Sequence, residues 1–200
     1  MPKTFTENER KYIKNRLMEE AQNCLKLYGM RKTTVDELVK RVNIPKGTFY
    51  LFFESKEMLF YEVLCLFHDE LQAGLLRELE VLEEPVSADH LTELLLGLYQ
   101  RIEGSFLYKF ITSGDLELLM RKLPPEVAIS HAMKDDFSIE KILAIVPGIR
   151  NEHIKVFSAA MRAIFLSMLH KHEIGEEVFE DTLRLMIRGV VIQMFEDGLR

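Results

Sequence analysis

Tryptophan is absent from this 200-residue chain, cysteine occurs twice and proline six times. So few cysteines exclude a disulfide-built scaffold. Cys24 and Cys65 fall in phase with apolar helix faces and lack metal-ligand spacing, which predicts two reduced core thiols. Also missing is any apolar run near the roughly 20 residues that span a bilayer, the best stretch being broken by Arg162. The opening MPKTFTENERKYIK has no apolar core of a secretion signal, so a cytoplasmic protein with no membrane partner is expected. Nucleophile motifs, glycine-rich phosphate loops and zinc spacings are lacking too, which predicts a non-enzyme with no catalytic residue, no cofactor and no metal. His170 and His172, near Glu173 and Glu176, stand two residues apart; on a helix that spacing points the rings away from each other, so they read as a solvated helix end.

What is present suits a packed core: 48% of residues are hydrophobic and 29% charged. The charge is unevenly divided. Residues 1–56 hold 12 Lys and Arg against 7 Asp and Glu, a balance of +5, while the remaining 144 hold 14 against 25, a balance of −11. A basic quarter on an acidic body fits a surface that meets phosphate, because electrostatic attraction decays over a Debye length of about 8 Å and the acidic part can face away.

Apolar residues recur with helical spacing almost throughout, and no alternating run is long enough to build a sheet, so the fold class expected is all-α. Ile13, Leu17, Ala21, Cys24, Leu25 and Tyr28 mark one face of a first helix that Gly29 stops. Thr34 and Glu37 have capping-box spacing ahead of a short second helix with Val35, Leu38, Val39 and Val42 inward. Asn43-Ile44 is the predicted turn, and Pro45 suits the first position of a third helix over 45–52, where its missing N–H costs nothing. Ser55 caps a long fourth helix, about 28 residues or roughly 40 Å, running to Glu83-Glu84-Pro85. Ser87 caps a helix to about residue 103; Gly104, Gly114, Pro124-Pro125 and Pro147-Gly148 then interrupt the chain up to about residue 150; two long helices, about 151–171 and 176–197, flank a turn at Gly175.

Two short helices joined by a tight turn, with the first helix packed across them, make a helix-turn-helix, whose second member offers its N-terminal residues to the major groove. Lys46 sits at that N-terminus. Gly47 allows close approach to DNA or a neighbouring helix, Thr48 can meet a base edge or phosphate, and the Tyr50 hydroxyl can reach a phosphate. Phe49, Phe52 and Phe53 anchor the unit from behind, and Lys56 brings a cation to the first turn of the fourth helix.

The stretch YGMRKTTVDELVKRVNIPKGTFYLFFESKEML resembles the DNA-binding domain of the tetracycline-repressor-like (TetR/AcrR) transcriptional regulators. The likeness covers about residues 10–60: the Tyr-Gly pair, the threonines opening helix two, the Lys-Gly-Thr-aromatic-Tyr recognition helix and the Phe-x-Ser-Lys-Glu entry to helix four. It implies a helix-turn-helix DNA-binding domain over 1–55 and a helical ligand-binding and dimerisation domain over 56–200. It further implies an all-helical homodimer of about nine or more helices, usually a repressor released by a small molecule. Thr33 and Thr34 match the opening of helix two, with Thr34 both cap and candidate phosphate contact. Two positions depart from the pattern. Leu51 stands where many members carry a polar or aromatic residue, leaving an apolar contact such as a thymine methyl, and Pro45 replaces the more usual serine.

The last two helices carry wide apolar faces, including Phe157, Met161, Ile164, Phe165, Met168, Met186, Val190 and Met194, with Ala160, Ala163 and Gly189 allowing close approach. Pairing with a second copy would form a four-helix bundle and place two recognition helices about one DNA turn apart on a palindromic double-stranded operator. Ten methionines and 13 phenylalanines suit a deformable apolar cavity. Phe67, His68, Tyr99, Glu103, Tyr108 and His131 are the candidates for lining it around an apolar or amphipathic ligand. The rival reading, a helical protein-interaction or carrier module, predicts no set of Lys46, Thr48, Tyr50 and Lys56.

Overall fold

The structure, a computed structural model, describes residues 5–81, 86–129, 140, 142–144, 146, 148–149 and 153–195, and every regular element among them is helical. Helix α1 (Glu7–Tyr28) opens on a reciprocal cap: Thr6 N–H donates to the Glu9 carboxylate at 2.9 Å, and Glu9 N–H donates to Thr6 Oγ1 at 3.3 Å. It stops at Gly29, whose φ of 76° few side chains tolerate and whose N–H donates to Leu25 O. Ile13, Leu17, Ala21, Cys24 and Leu25 are buried as the periodicity predicts, whereas Tyr28, at the frayed end of the stripe, is exposed.

Helix α2 (Val35–Val42) begins at Thr34, whose hydroxyl accepts from Glu37 N–H at 3.2 Å. The expected reciprocal bond from Glu37 is replaced: its carboxylate accepts from Arg41 Nε at 2.7 Å, one turn on. Asn43, at φ 58° and ψ 49°, supplies the left-handed residue that ends α2 and starts the turn. The third helix is shorter than expected. Pro45 is the flanking residue and α3 covers only Lys46–Phe49, because the chain tightens: Leu51 N–H bonds Thr48 O and Phe52 N–H bonds Phe49 O, both three residues back.

Ser55 Oγ accepts from Met58 N–H at 3.2 Å and opens α4 (Lys56–Glu80). Beyond it lie α5 (Ala88–Glu103), α6 (Phe106–Thr112), α7 (Asp115–Lys122), α8 (Ile154–Ser167) with a 3-10 turn Met168–His170, the one-turn α9 (Lys171–Ile174) and α10 (Phe179–Phe195). Among the described residues, no helix is long and apolar enough to cross a membrane.

The chain divides into two compact units. One comprises Met1–Asp69 with Glu103–Ala128, the other Glu70–Ile102 with Ile129–Arg200. Helix α4 contributes to both, while α6 and α7 join the N-terminal helices. In the first unit Leu17, Cys24, Leu38, Phe49, Phe60, Phe106 and Leu119 belong to one buried cluster drawn from α1, α2, α3, α4, α6 and α7. Each large apolar side chain buried there contributes about 1.5–3 kcal/mol. Cys24 is buried and Cys65 half-buried, neither of them in a disulfide. In the second unit Leu91, Leu95 and Tyr99 of α5, Phe157, Met161 and Ile164 of α8, and Leu183, Ile187 and Val191 of α10 are buried, and α8 packs on α10.

Candidate nucleic-acid interface

The α2–turn–α3 unit is held from behind by its aromatics. Phe49 and Phe53 are buried with ring centroids 5.9 Å apart, Tyr50 meets Phe49 edge-on at 5.3 Å, and the Arg10 guanidinium lies 5.2 Å from the centre of the half-buried Phe52 ring. With Phe49 and Phe53 inward, the surface left open carries Thr34, Pro45, Lys46, Gly47, Tyr50 and Leu51, all exposed. A Cβ on Gly47 would meet nothing within 4 Å, so the close approach this glycine permits is toward a partner from solvent and not toward a neighbouring helix. Lys46 Nζ bridges the turn to Asp36, 2.9 Å from Oδ1 and 3.0 Å from Oδ2, and that carboxylate raises the lysine pKa from its ordinary value. An incoming phosphate has to share or displace Asp36.

Three residues expected at this surface are buried or bonded within the fold. Thr33 is fully buried and its hydroxyl donates to Gly29 O at 2.8 Å, closing the α1–α2 loop. Thr48 is buried on the inner side of α3. Lys56 turns into the protein, where its ammonium donates to Met30 O at 3.1 Å and Thr33 O at 2.7 Å; burial lowers its pKa. A lysine with two of its three donors on backbone carbonyls is a loop anchor and a poor phosphate contact.

The loop from Gly29 to Thr33 is also gripped from the far side. Asp115, at the start of α7, is buried, and its Oδ2 accepts from Met30 N–H at 2.6 Å while Oδ1 lies 3.7 Å from Arg31 Nε. Lys109 of α6 donates to Lys26 O and Leu27 O, each at 3.3 Å, over the C-terminal end of α1, and Lys122 of α7 pairs with Glu57 at 3.2 Å. Sequence reasoning missed Asp36 and Asp115. An acidic residue in a helix's first turn reads as a complement to the helix dipole, and nothing local reveals a partner across a turn or 85 positions away.

The ligand-pocket candidates divide between the units. Phe67 packs on Phe106 with centroids 5.1 Å apart, His68 lies 3.9 Å from Asp69, and Glu103 and the half-buried Tyr108 belong to the same unit. Tyr99 lies in the other, buried, donating its hydroxyl to Met161 O at 2.8 Å. His131 is outside the described residues. Of the proposed pairing face, Phe157, Met161, Ile164, Met168 and Met194 are buried in their own unit and have little surface to offer a second copy. Ala160, Phe165, Met186 and Val190 are half-buried, and Ala163 and Gly189 are exposed. The outward stripes run instead through Val156, Ala159, Ala163 and Leu166 on α8 and through Leu185 and Gly189 on α10, with Leu185 74% exposed.

Residues 17–63 match the model of the tetR family of bacterial regulatory proteins. The chain is 30% identical over 83 residues to the HTH-type transcriptional regulator YdgC of Bacillus subtilis (strain 168), 42% of each protein. The matched stretch thus spans about two fifths of that relative's length. Solved structures resemble the chain over nearly its whole length. GusR of Salmonella enterica has a TM-score of 0.63 at 21% identity, covering 95% of this chain and 100% of that one. Thermus thermophilus FadR, a TetR-family transcriptional repressor solved with lauroyl-CoA, has a TM-score of 0.59 at 18% identity, covering 94% and 95%. At such identities the likeness speaks for the fold.

Proposed function

We propose that the chain, whose residues 17–63 match the tetR family of bacterial regulatory proteins, is a sequence-specific DNA-binding transcriptional regulator that works as a homodimer on a palindromic operator. The observation that carries this reading is the exposed set Thr34, Pro45, Lys46, Gly47, Tyr50 and Leu51, contributed by the cap of α2, by α3 and by the residues flanking α3, with Phe49 and Phe53 buried behind. Lys46 and the Tyr50 hydroxyl meet phosphate, and Leu51 offers an apolar contact to a base edge. The second copy docks on the outward stripes of α8 and α10, where Leu185 and Gly189 replace the buried methionines as central residues. The protein acts as a repressor controlled by an apolar or amphipathic ligand, a class supported by the lauroyl-CoA held by Thermus thermophilus FadR. Helix α4 is continuous through both units, so a ligand that shifts it changes the presentation of the recognition helix, with a coupling of about 1–3 kcal/mol that acts equally in both directions.

Selection from random duplex DNA tests the reading: the protein should enrich a palindromic site. Lys46→Ala should then weaken binding and reduce the log–log salt slope by about 0.9. Enrichment of no sequence, or binding with the same slope after Lys46→Ala, refutes the assignment. Leu185→Glu should give monomers in sedimentation with little change in protomer folding. A fatty acyl-CoA that binds yet leaves operator affinity unchanged would remove that ligand class from the control mechanism.

A further inference from the structure

We propose that Asp115 is a positioning residue for DNA binding: its buried carboxylate, delivered by α7, fixes the loop from Gly29 to Thr33 and thereby sets where Thr34 and α2 face the phosphate backbone. The inference rests on the reading of α2–turn–α3 as a DNA-contacting surface. A buried carboxylate is costly unless its charge is compensated and its lone pairs are used. Here both oxygens act on one short loop, Oδ2 on Met30 N–H at 2.6 Å and Oδ1 toward Arg31 at 3.7 Å.

The loop itself is built to receive the carboxylate. A Cβ at position 29 would lie 2.9 Å from Asp115 Oδ2, so glycine is the residue that lets the carboxylate reach its partner. Lys56 takes the carbonyls of Met30 and Thr33, and Thr33 Oγ1 takes that of Gly29. The loop is therefore pinned through Met30 N–H, Met30 O, Thr33 O and Gly29 O, and Thr34 comes directly after it as the exposed cap of α2. Freeing the loop leaves α2 intact as a helix but lets its N-terminal end wander relative to α3, and a misplacement of about 1 Å there breaks contacts that depend on geometry.

The test uses the full chain and the duplex that the wild-type protein selects. Asp115→Asn, whose amide oxygen can still accept from Met30 N–H but without the charge, should weaken operator binding up to about tenfold, with circular dichroism and sedimentation unchanged. Its salt slope should stay at the wild-type value, unlike that of Lys46→Ala, because no cation on phosphate is removed. Hydrogen exchange at the Met30 amide should accelerate. Thr34→Ala should weaken binding in the wild-type background and add little in Asp115→Asn, where the cap is already displaced from the phosphate it would meet. Should Asp115→Asn fail to fold, Lys56→Gln loosens the same loop from the other side and should give the same loss at unchanged slope. Binding within twofold of wild type in a folded variant whose Met30 amide has lost protection overturns the proposal, as do fully additive effects of Asp115 and Thr34. If the wild-type protein selects no duplex, the DNA-contacting reading fails, and this inference with it.

Discussion

In the unit formed by residues 1–69 and 103–128, side-chain pairs such as Lys14 with Glu62 and Lys122 with Glu57 are joined by three polar side chains that reach across the fold to backbone: Asp115 on Met30 N–H, Lys56 on two carbonyls, Lys109 on the last turn of α1. In the unit formed by residues 70–102 and 129–200 they mostly end on other side chains at the surface. Arg101 pairs with Glu78, Arg184 with Glu93, Arg188 with Asp89 at 3.0 Å, and Gln100 bonds Glu180 at 2.9 Å, all exposed. A bond to backbone fixes the path of the chain, whereas a surface ion pair contributes about 0–1 kcal/mol and can be exchanged for another. The first unit is thus specified in the path of its chain from the end of α1 to Thr33. The second keeps its helices packed while leaving their polar faces replaceable.

The largest effect should come from the core that backs α3. Phe49 is fully buried, and Phe49→Ala should cost about 3–5 kcal/mol in chemical denaturation. The contrasting change is Gly189→Leu in the other unit, where a Cβ meets nothing within 4 Å; it should leave protomer stability within about 0.5 kcal/mol while disturbing pairing in sedimentation. A large loss of protomer stability from Gly189→Leu would mean that the outward stripe of α10 is part of the fold and not a docking face.

Next in size is Gly29→Ala. At φ 76° and ψ 176° the residue occupies a region that is essentially glycine's alone, which costs about 1–3 kcal/mol for any side chain, and the added Cβ presses on the Asp115 carboxylate at 2.9 Å. Combining it with Asp115→Ala separates the two terms, because the second change removes the oxygen that the Cβ meets. Gly29→Ala should therefore cost less in the Asp115→Ala background than in wild type, read by thermal melts of the four proteins. Equal costs in both would leave backbone strain as the whole effect.

What the sequence reveals here is what acts locally. Thr34, Asn43, Gly29 and Ser55 each announce a helix boundary through their own side chain or backbone freedom, and the structure uses all four. Thr6 and Glu9 carry the same spacing and the same signal. The phase of the apolar stripe on α8 is not legible in this way, because that helix is apolar around most of its circumference. Phe157, Met161 and Ile164 face inward while Val156 and Leu166 face outward, and hydropathy alone ranks them alike. Nor is the Lys56 assignment legible, since a lysine beside a helix start looks the same whether its ammonium turns to solvent or to the carbonyls of a loop 23 and 26 residues back.

A pair of tyrosines compares the two units in alkali. Burial, with a hydrogen bond involving Cys65, pushes the Tyr61 hydroxyl from 10.0 up to about 12, and burial raises that of Tyr99 as well. A phenol whose folded pKa is raised contributes stability that is fully present below the unfolded value near 10 and is lost as pH rises through the folded value. Denaturation of wild type should show stability falling between pH 10 and 12, and Tyr61→Phe should flatten that fall. At neutral pH, Tyr99→Phe should cost about 1 kcal/mol for the hydrogen bond to Met161 O. An unchanged alkaline slope in Tyr61→Phe would show that the phenol ionises as readily in the folded protein as in the unfolded chain.

The smallest effects belong to the seam of α5 against α10. Asp89 with Arg188 and Glu93 with Arg184 lie at successive turns of antiparallel-running helices, and every partner is solvent-exposed by four tenths or more. Two long side chains held in one geometry forfeit rotamer entropy, and water screens what they gain, so Arg188→Gln should cost under about 0.5 kcal/mol. A double-mutant cycle of Asp89→Asn with Arg188→Gln should give a coupling of about 0.2–1 kcal/mol, and in 1 M salt, where the Debye length is about 3 Å, it should fade toward zero. The corresponding cycle in the other unit, Asp115→Asn with Arg31→Gln, gives the comparison its sharpest form. Only one of those two partners is exposed, the Arg31 side chain at 69% against 6% for Asp115, so this coupling should persist in salt where the α5–α10 coupling does not. If both couplings fade together, the buried carboxylate acts through its hydrogen bond to Met30 alone, and Arg31 contributes no more to the loop than a surface charge.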